Sequence, residues 1–190
     1  MLLPKILSFL HNHYGKLLSL VLLFSAYAFI FTYLPVTPMI IWLTLMSSAF
    51  VWFLIEVNAN RAEPVRIFNG FLLAVFLLVF DFVIENGGAI LGYWHTARSA
   101  YAIGVVPIEV MFIILFGGVA WYLYLPKELS RTFSFLDITA FAFFGMLGEF
   151  VLSNHDMMIY TQGWTSMHAF IAYAITWFIL HLVRYRVLRE

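Results

Sequence analysis

The sequence contains no cysteine among its 190 residues, which excludes disulfide bonds, thiolate catalysis, iron–sulfur clusters and cysteine-ligated zinc sites. Charged residues are also scarce, at 11% of the chain, whereas a soluble domain carries about 25%. Ten basic residues balance ten acidic ones, so net charge gives no reason to expect a nucleic-acid partner. A phosphate-binding loop, a nucleophile elbow, an HExxH motif and a dinucleotide-binding fingerprint are all missing.

What the chain does have is apolar surface, with 64% hydrophobic and 19% aromatic residues. So little polar surface cannot cover a water-soluble globule, and we predict one integral membrane domain over residues 1–190. A membrane-spanning helix needs about 20 mostly apolar residues. Residues 1–16 predict an amphipathic helix at the membrane interface. The predicted fold class is therefore all-α, a bundle of six transmembrane helices over residues 17–34, 39–57, 67–86, 102–125, 135–153 and 166–183.

The basic residues indicate how this bundle is oriented. Nine of the ten lysines and arginines fall in the two termini and in the connections that lie on the same side, which leaves Arg98 alone on the other. By the positive-inside rule, both termini are cytoplasmic, and we expect a multi-pass protein of the plasma membrane.

The spans carry several carboxyl groups, which are costly in an apolar environment and mark functional sites in membrane proteins. Asp81 and Glu85 lie one turn apart near the outer end of the third span, which we expect to break at Gly87-Gly88. Glu109 and Glu149 are expected in the outer halves of the fourth and fifth spans. The topology therefore predicts that these four acids and His168, which opens the sixth span, come from four helices and meet near the outer face.

A neutral carboxylic acid in such a place can deliver a proton to a double bond of a lipid-soluble substrate, because apolar surroundings favour the uncharged form of the acid. The carbocation formed in this way needs aromatic π-faces and exclusion of water. The candidate substrate-binding residues are Asn86, Tyr93, Trp94, Phe112, Tyr160 and Trp164.

A short motif adds a family resemblance. The pattern Asp81…Gly92-Tyr93-Trp94…Gly104-x-x-Pro107-Ile108-Glu109-x-x-Phe112 resembles the small integral-membrane lycopene cyclases that use no flavin. Glu85-Asn86-Gly87…Gly92-Tyr93 with Val106-Pro107 also looks like the related carotenoid hydratases of the bisanhydrobacterioruberin type. The resemblance implies redox-neutral, acid-initiated chemistry on a long polyene without an organic cofactor. It also implies that Glu109 is the motif acid and Asp81 its upstream partner, while Val110 replaces the family's second acid.

The common depth of the acids and the resemblance of the motif together predict an intramembrane enzyme. This enzyme would protonate an isoprenoid or carotenoid double bond, as a cyclase or a hydratase does. Glu109 and Glu85 are the leading proton donors, and Glu149 and Asp81 are tuning or second acids. No cofactor is expected. The expected partners are the lipid bilayer and a hydrophobic polyene or isoprenoid substrate but no nucleic acid, and assembly into a homo- or hetero-oligomer stays open.

Two other classes of function remain open. The first is a metal-binding membrane protein or metalloenzyme, since hard oxygen and imidazole ligands suit a divalent transition metal. Its ligands would come from Glu85, Glu109, Glu149, His155 and His168. The second is a proton-coupled transporter or a non-catalytic membrane subunit.

Two further patterns complete the predictions. Spans three and four share with spans five and six a carboxylate at the end of an outward helix, followed by a loop rich in Gly, Tyr and Trp, which suggests a diverged repeat. On the cytoplasmic side we expect no comparable cluster of ionisable residues. There Asp137 is interpreted as the N-cap of the fifth span, and His181 as a residue that snorkels or caps the sixth.

Overall fold

The computed structural model describes residues 12–59, 63–96 and 101–188. Five helices in these ranges are long and apolar enough to cross a membrane, and the fourth helix in chain order is a shorter apolar helix of 17 residues. These observations confirm the all-α class and a membrane-embedded chain. The helices are α1 (His13–Tyr33), α2 (Pro38–Ala59), α3 (Pro64–Ile90), α4 (Ile108–Tyr124), α5 (Arg131–Asn154) and α6 (Ser166–Leu182), which a π-helical turn (Val183–Val187) extends.

The predicted interfacial helix falls largely on residues 1–11, which lie outside the described residues. From His13 onward the chain already belongs to α1. The side chain of Asn12 caps this helix by accepting a hydrogen bond from the backbone N–H of Gly15, at 2.7 Å.

The predicted fourth span is wrong at its start, because residues 102–107 are not helical. They form an antiparallel hairpin of β2 (Ala102–Ile103) and β3 (Val106–Pro107). Gly104 makes the turn with a φ of 63°, a left-handed conformation that glycine adopts without strain. Pro107 then precedes the first turn of α4, where the missing N–H of proline costs no helical hydrogen bond.

The predicted break at Gly87-Gly88 is also wrong, since α3 continues to Ile90. The helix ends two residues before Gly92, which has a φ of 77°. The backbone N–H of Tyr93 donates to the carbonyl of Gly88, and that of Gly92 to the carbonyl of Ala89. This is a Schellman motif, in which a left-handed glycine after the helix end closes the last turn.

The helices pack in two groups of three. In one group α4 lies between α2 and α3, and in the other α5 packs against both α1 and α6. The C-terminal half of α4, from Gly118 to Tyr124, is entirely buried, so this short helix forms the centre of the core. Its apolar residues pack against α3 in the main hydrophobic cluster, which includes Leu73, Ala74 and Leu77.

Contacts at both ends join the two groups. At one end, β1 (Trp94–Thr96) pairs antiparallel with β4 (Met158–Tyr160). We call this the acidic end, because Asp81, Glu85 and Glu149 lie beneath it. At the opposite end, the Trp121 indole of α4 donates to Asp137 of α5 at 2.9 Å. We call this the Asp137 end.

Polar side chains complete the backbone of α4 at the Asp137 end. Arg66 donates through Nη2 to the carbonyl oxygens of Leu123 and Leu125, at 3.2 and 2.9 Å. A ring nitrogen of His13 lies 2.8 Å from the carbonyl oxygen of Tyr124. The last carbonyls of a helix have no partner within the helix, so these contacts allow α4 to end inside the core.

Candidate functional site

A cavity of about 380 Å³ lies between the two helix groups, and all six helices contribute to its lining. This volume is within the range of small-molecule sites in proteins. Along α5 the lining extends from Phe141 to Leu152, which is roughly 16 Å at the helical rise per residue. Most lining residues are apolar, and Asp81, Glu85 and Glu149 are gathered at one end. None of the lining residues in the described part of the chain is basic.

Glu85 and Glu149 are each held by an aromatic residue from the strand that follows their own helix. The Trp94 indole Nε1 donates to Glu85 Oε2 at 2.9 Å. The Tyr160 hydroxyl donates to Glu149 Oε2. Trp94 and Tyr160 face each other as partners in the β1–β4 pair. The two acids are therefore bound to one pair of opposed residues, and the diverged repeat stays a prediction.

Asp81 lies one turn before Glu85 on α3 and has a different environment. Its Oδ2 is buried and has no hydrogen-bond partner among the described residues. The carboxyl groups of Asp81, Glu85 and Glu149 are close enough to interact electrostatically with one another. Three mutually repelling acids in an apolar cavity form the most polar feature of its lining.

Aromatic rings cover the acidic end. Trp94 is buried, and its ring centroid lies 4.6 Å from that of Trp164, which also packs against Tyr93 at 5.7 Å. The side chains of Trp164 and Tyr173 also lie near the Glu149 carboxyl group. Burial and the hydrogen bond to Glu149 raise the pKa of Tyr160 well above its ordinary value. The Tyr160 hydroxyl therefore remains a neutral donor across the physiological pH range.

Glycines make room for these rings at two places. A Cβ atom built on Gly88 would collide with the Trp94 indole, and one built on Gly145 would collide with the Tyr173 ring. By contrast, a Cβ on Gly87 or Gly148 would meet nothing within 4 Å. Gly88 therefore allows the Trp94 ring to approach α3, and Gly145 allows the Tyr173 ring to approach α5. Gly87 and Gly148 play no part in these contacts.

We expect Gly88→Ala to displace the Trp94 indole from Glu85 and to lower the melting temperature. Its neighbour Gly87→Ala is the matched control and is expected to raise stability by up to about 1 kcal/mol, since alanine favours a helix interior over glycine. Thermal unfolding and tryptophan emission of the purified variants measure both effects. Equal behaviour of the two variants would contradict the packing described for Trp94.

Several residues predicted for the site lie elsewhere. Glu109 is in the first turn of α4, half-buried, and does not line the cavity, although Pro107 and Val110 on either side of it do. Phe112 packs on Phe116, with centroids 4.5 Å apart, and is also outside the lining. The leading acid from the motif is therefore not brought together with the other three.

Asn86 and Tyr93 support the site without lining it. The Asn86 side chain donates to the carbonyl of Phe82 at 2.7 Å and accepts from the backbone N–H of Val105 at 3.2 Å. It thereby attaches the β2–β3 hairpin to α3. Tyr93 is partly exposed, and its ring stacks on Trp94. Of the other predicted substrate-binding residues, Trp94 and Trp164 line the cavity, and Tyr160 donates to Glu149, which also lines it.

The two histidines proposed as metal ligands are engaged elsewhere. A ring nitrogen of His155 lies 2.6 Å from the carbonyl oxygen of Phe31. His168 is exposed, and its Nδ1 lies 2.8 Å from the Thr165 hydroxyl. Within the described ranges, no group of three or more His, Asp or Glu side chains could hold a metal ion. The predicted ligand set is thus not assembled in the structure.

No protein-family model, curated protein or solved structure matches this chain. The chemistry of the site therefore has to follow from its geometry. Carboxyl groups at one end of an apolar cavity, shielded by aromatic rings, can hold and transfer protons to a lipid-soluble molecule away from water.

A second polar cluster lies at the Asp137 end, where the sequence predicted none. Asp137 is not an N-cap: Ser130 caps α5, and its hydroxyl accepts from the backbone N–H of Phe133 at 3.4 Å. Asp137 is fully buried in the second turn and accepts from the Trp121 indole, while His181 Nε2 lies 2.9 Å from the same Oδ2. His181 is therefore a buried partner of Asp137, and the predictions for both residues are wrong.

A sequence signal for this cluster existed. Phe133, Asp137, Phe141 and Phe144 recur at intervals of three and four residues, which places them on one face of a helix. All four are buried in α5. An acid in the middle of a phenylalanine face indicates an inward-pointing carboxyl group, whereas the N-cap interpretation placed the cap seven residues after Ser130, the observed cap.

Proposed function

We propose that the chain is an intramembrane enzyme that protonates a carbon–carbon double bond of an isoprenoid or carotenoid, in a cyclase- or hydratase-type reaction. The observation that supports this best is the meeting of Asp81, Glu85 and Glu149 at one end of an elongated apolar cavity. The cavity suits a hydrocarbon chain, and the acids suit a reactive end group.

The chemistry uses groups that the site contains. A carboxyl group transfers its proton to one carbon of the double bond, and the positive charge forms on the neighbouring carbon. The faces of Trp94 and Trp164 can stabilise that charge, as cation–π contacts do. Loss of an adjacent proton to a carboxylate completes a cyclisation or isomerisation, whereas addition of water completes a hydration. None of these steps changes the oxidation state of the substrate.

The resemblance to lycopene cyclases and carotenoid hydratases favours a polyene as substrate, but the geometry assigns the acids differently from the motif. Glu109 does not line the cavity, and Asp81 and Glu85 do. Our proposal therefore places proton donation on α3, and it gives Glu109 no direct contact with the substrate.

We also propose that α4 crosses the membrane, which brings the number of spans to six, and that both termini are cytoplasmic. With 17 residues, α4 is at the short limit for a spanning helix, and the β2–β3 hairpin extends it toward the acidic end. The excess of basic residues in the termini and in two connections supports this orientation. The acidic end then lies near the outer surface of the plasma membrane.

Expression in cells that accumulate an acyclic carotenoid tests the proposal. We expect chromatography of the extracted pigments to show a cyclic or hydrated product that is missing from cells with an empty vector. An unchanged pigment profile, with the protein present in the membrane fraction, would eliminate acyclic carotenoids as the substrate.

A further inference from the structure

We infer that the acidic end is divided into an acid side and a base side: Asp81 and Glu85 on α3 share the proton that is donated, and Glu149 on α5 is an ionised carboxylate that accepts one. The catalytic roles rest on the proposed function, whereas the placement of the proton stands on the contacts alone.

The contacts of Glu149 favour its ionised form. The Tyr160 hydroxyl donates to it, and the Tyr173 hydroxyl and the Trp164 indole lie near the same carboxyl group. A carboxylate that accepts several hydrogen bonds is stabilised relative to the neutral acid. An indole N–H can only donate, and a neutral tyrosine donates readily to a charged oxygen. Glu149 is therefore surrounded by groups that suit a negative charge.

The contacts of the α3 pair favour a retained proton. Among the hydrogen bonds of the described residues, only one is donated to these two carboxyl groups, from Trp94 to Glu85. Asp81 Oδ2 is buried without a partner. No basic side chain lines the cavity in the described ranges, and the third nearby ionisable group, Glu149, is also an acid. Two carboxyl groups one turn apart, without a counter-charge, cannot both ionise at low cost, so they hold one proton between them.

This division gives a balanced reaction cycle. The O–H bond of the α3 pair breaks as a new C–H bond forms from the π electrons of the substrate, which leaves a carbocation. Glu149 takes a proton from a carbon beside the cation, and the electrons of that C–H bond form the new double bond. One proton then passes from Glu149 back to the α3 pair. No oxidant, reductant or net proton is consumed.

Infrared spectroscopy of the purified protein in lipid bilayers tests where the proton resides, because a protonated carboxyl group absorbs apart from carboxylates. We expect the wild-type protein to show a protonated-carboxyl band that shifts in heavy water. The double variant Asp81→Asn/Glu85→Gln is expected to lack this band. Glu149→Gln should retain the band at mildly acidic pH. The acidic pH is needed because removal of the Glu149 charge makes it easier for Asp81 and Glu85 to lose their shared proton.

Asp137→Asn is the matched control, because it removes a buried carboxyl group at the other end of the bundle that accepts hydrogen bonds from Trp121 and lies beside His181. We expect the band to persist in this variant. Loss of the band in Glu149→Gln, its survival in the α3 double variant, or its absence from the wild-type protein would overturn the inference. If the double variant does not fold, the wild-type and Glu149→Gln spectra still decide, since a band that belongs to Glu149 disappears with it.

The spectra and the pigment experiment fail independently. A band assigned to α3 in a protein that leaves carotenoids unchanged would uphold the proton placement and remove the proposed substrate. A new pigment, together with a band that disappears in Glu149→Gln, would uphold the function and reverse the acid and base sides.

Discussion

Product formation falls by roughly 10²- to 10⁴-fold when Asp81 and Glu85 are replaced together by asparagine and glutamine, if these acids donate the proton as proposed. The amides keep the size and shape of the side chains but have no acidic proton. The measurement is the amount of converted pigment per amount of protein in isolated membranes. We expect each single replacement to cause a smaller loss, because the remaining acid of the pair still holds a proton.

Glu109→Gln is the matched control for this experiment, since Glu109 carries the family motif but does not line the cavity. We expect its activity to stay near that of the wild-type protein. A strong loss in Glu109→Gln, with activity retained in the α3 double variant, would show that the motif identifies the acid and that the cavity does not.

Asp137→Ala is expected to destabilise the protein by about 3–5 kcal/mol, the typical cost of removing one partner from a buried charged or hydrogen-bonded pair. The change leaves the Trp121 N–H and the His181 ring without their acceptor in a part of the core that is closed to solvent. The expected consequence is a melting temperature lower by roughly 10 °C. Thermal unfolding of the detergent-solubilised protein measures it.

Thr139→Ala, two residues further along α5, provides the comparison. Thr139 is exposed, and its hydroxyl only donates to a carbonyl of its own helix, that of Phe135 at 2.8 Å. We expect its melting temperature to stay close to that of the wild-type protein. If Asp137→Ala melts at the same temperature as Thr139→Ala, the Asp137–Trp121–His181 contacts do not stabilise the fold.

The sequence was sufficient to predict most of the helices and how far along its helix each of Asp81, Glu85 and Glu149 lies, because hydropathy determines where an apolar helix falls in the chain. It did not determine which way a residue faces. Glu109 illustrates the difference: a span assumed to start at residue 102 placed it well inside a helix, whereas the β2–β3 hairpin leaves it in the first turn of α4. The predictions for Asp81, Glu85 and Glu149 depended less on helix starts.

The remaining parts of the site depend on contacts between residues far apart in the chain. The pairing of β1 with β4 joins segments more than sixty residues apart, and three-residue strands carry almost no sequence signal. The space that Gly88 leaves for Trp94 is likewise visible only once the ring is in place. Asp137 is the exception, because its position among Phe133, Phe141 and Phe144 was readable from the sequence.

The pairing of Trp94 with Tyr160 has a mechanical consequence. These two residues connect the halves of the bundle and also supply hydrogen bonds to Glu85 and Glu149. A movement that separated the halves at this end would stretch both hydrogen bonds at once, so that neither carboxyl group would be held in position. A substrate that enters while the β1–β4 pair stays closed therefore leaves both carboxyl contacts intact.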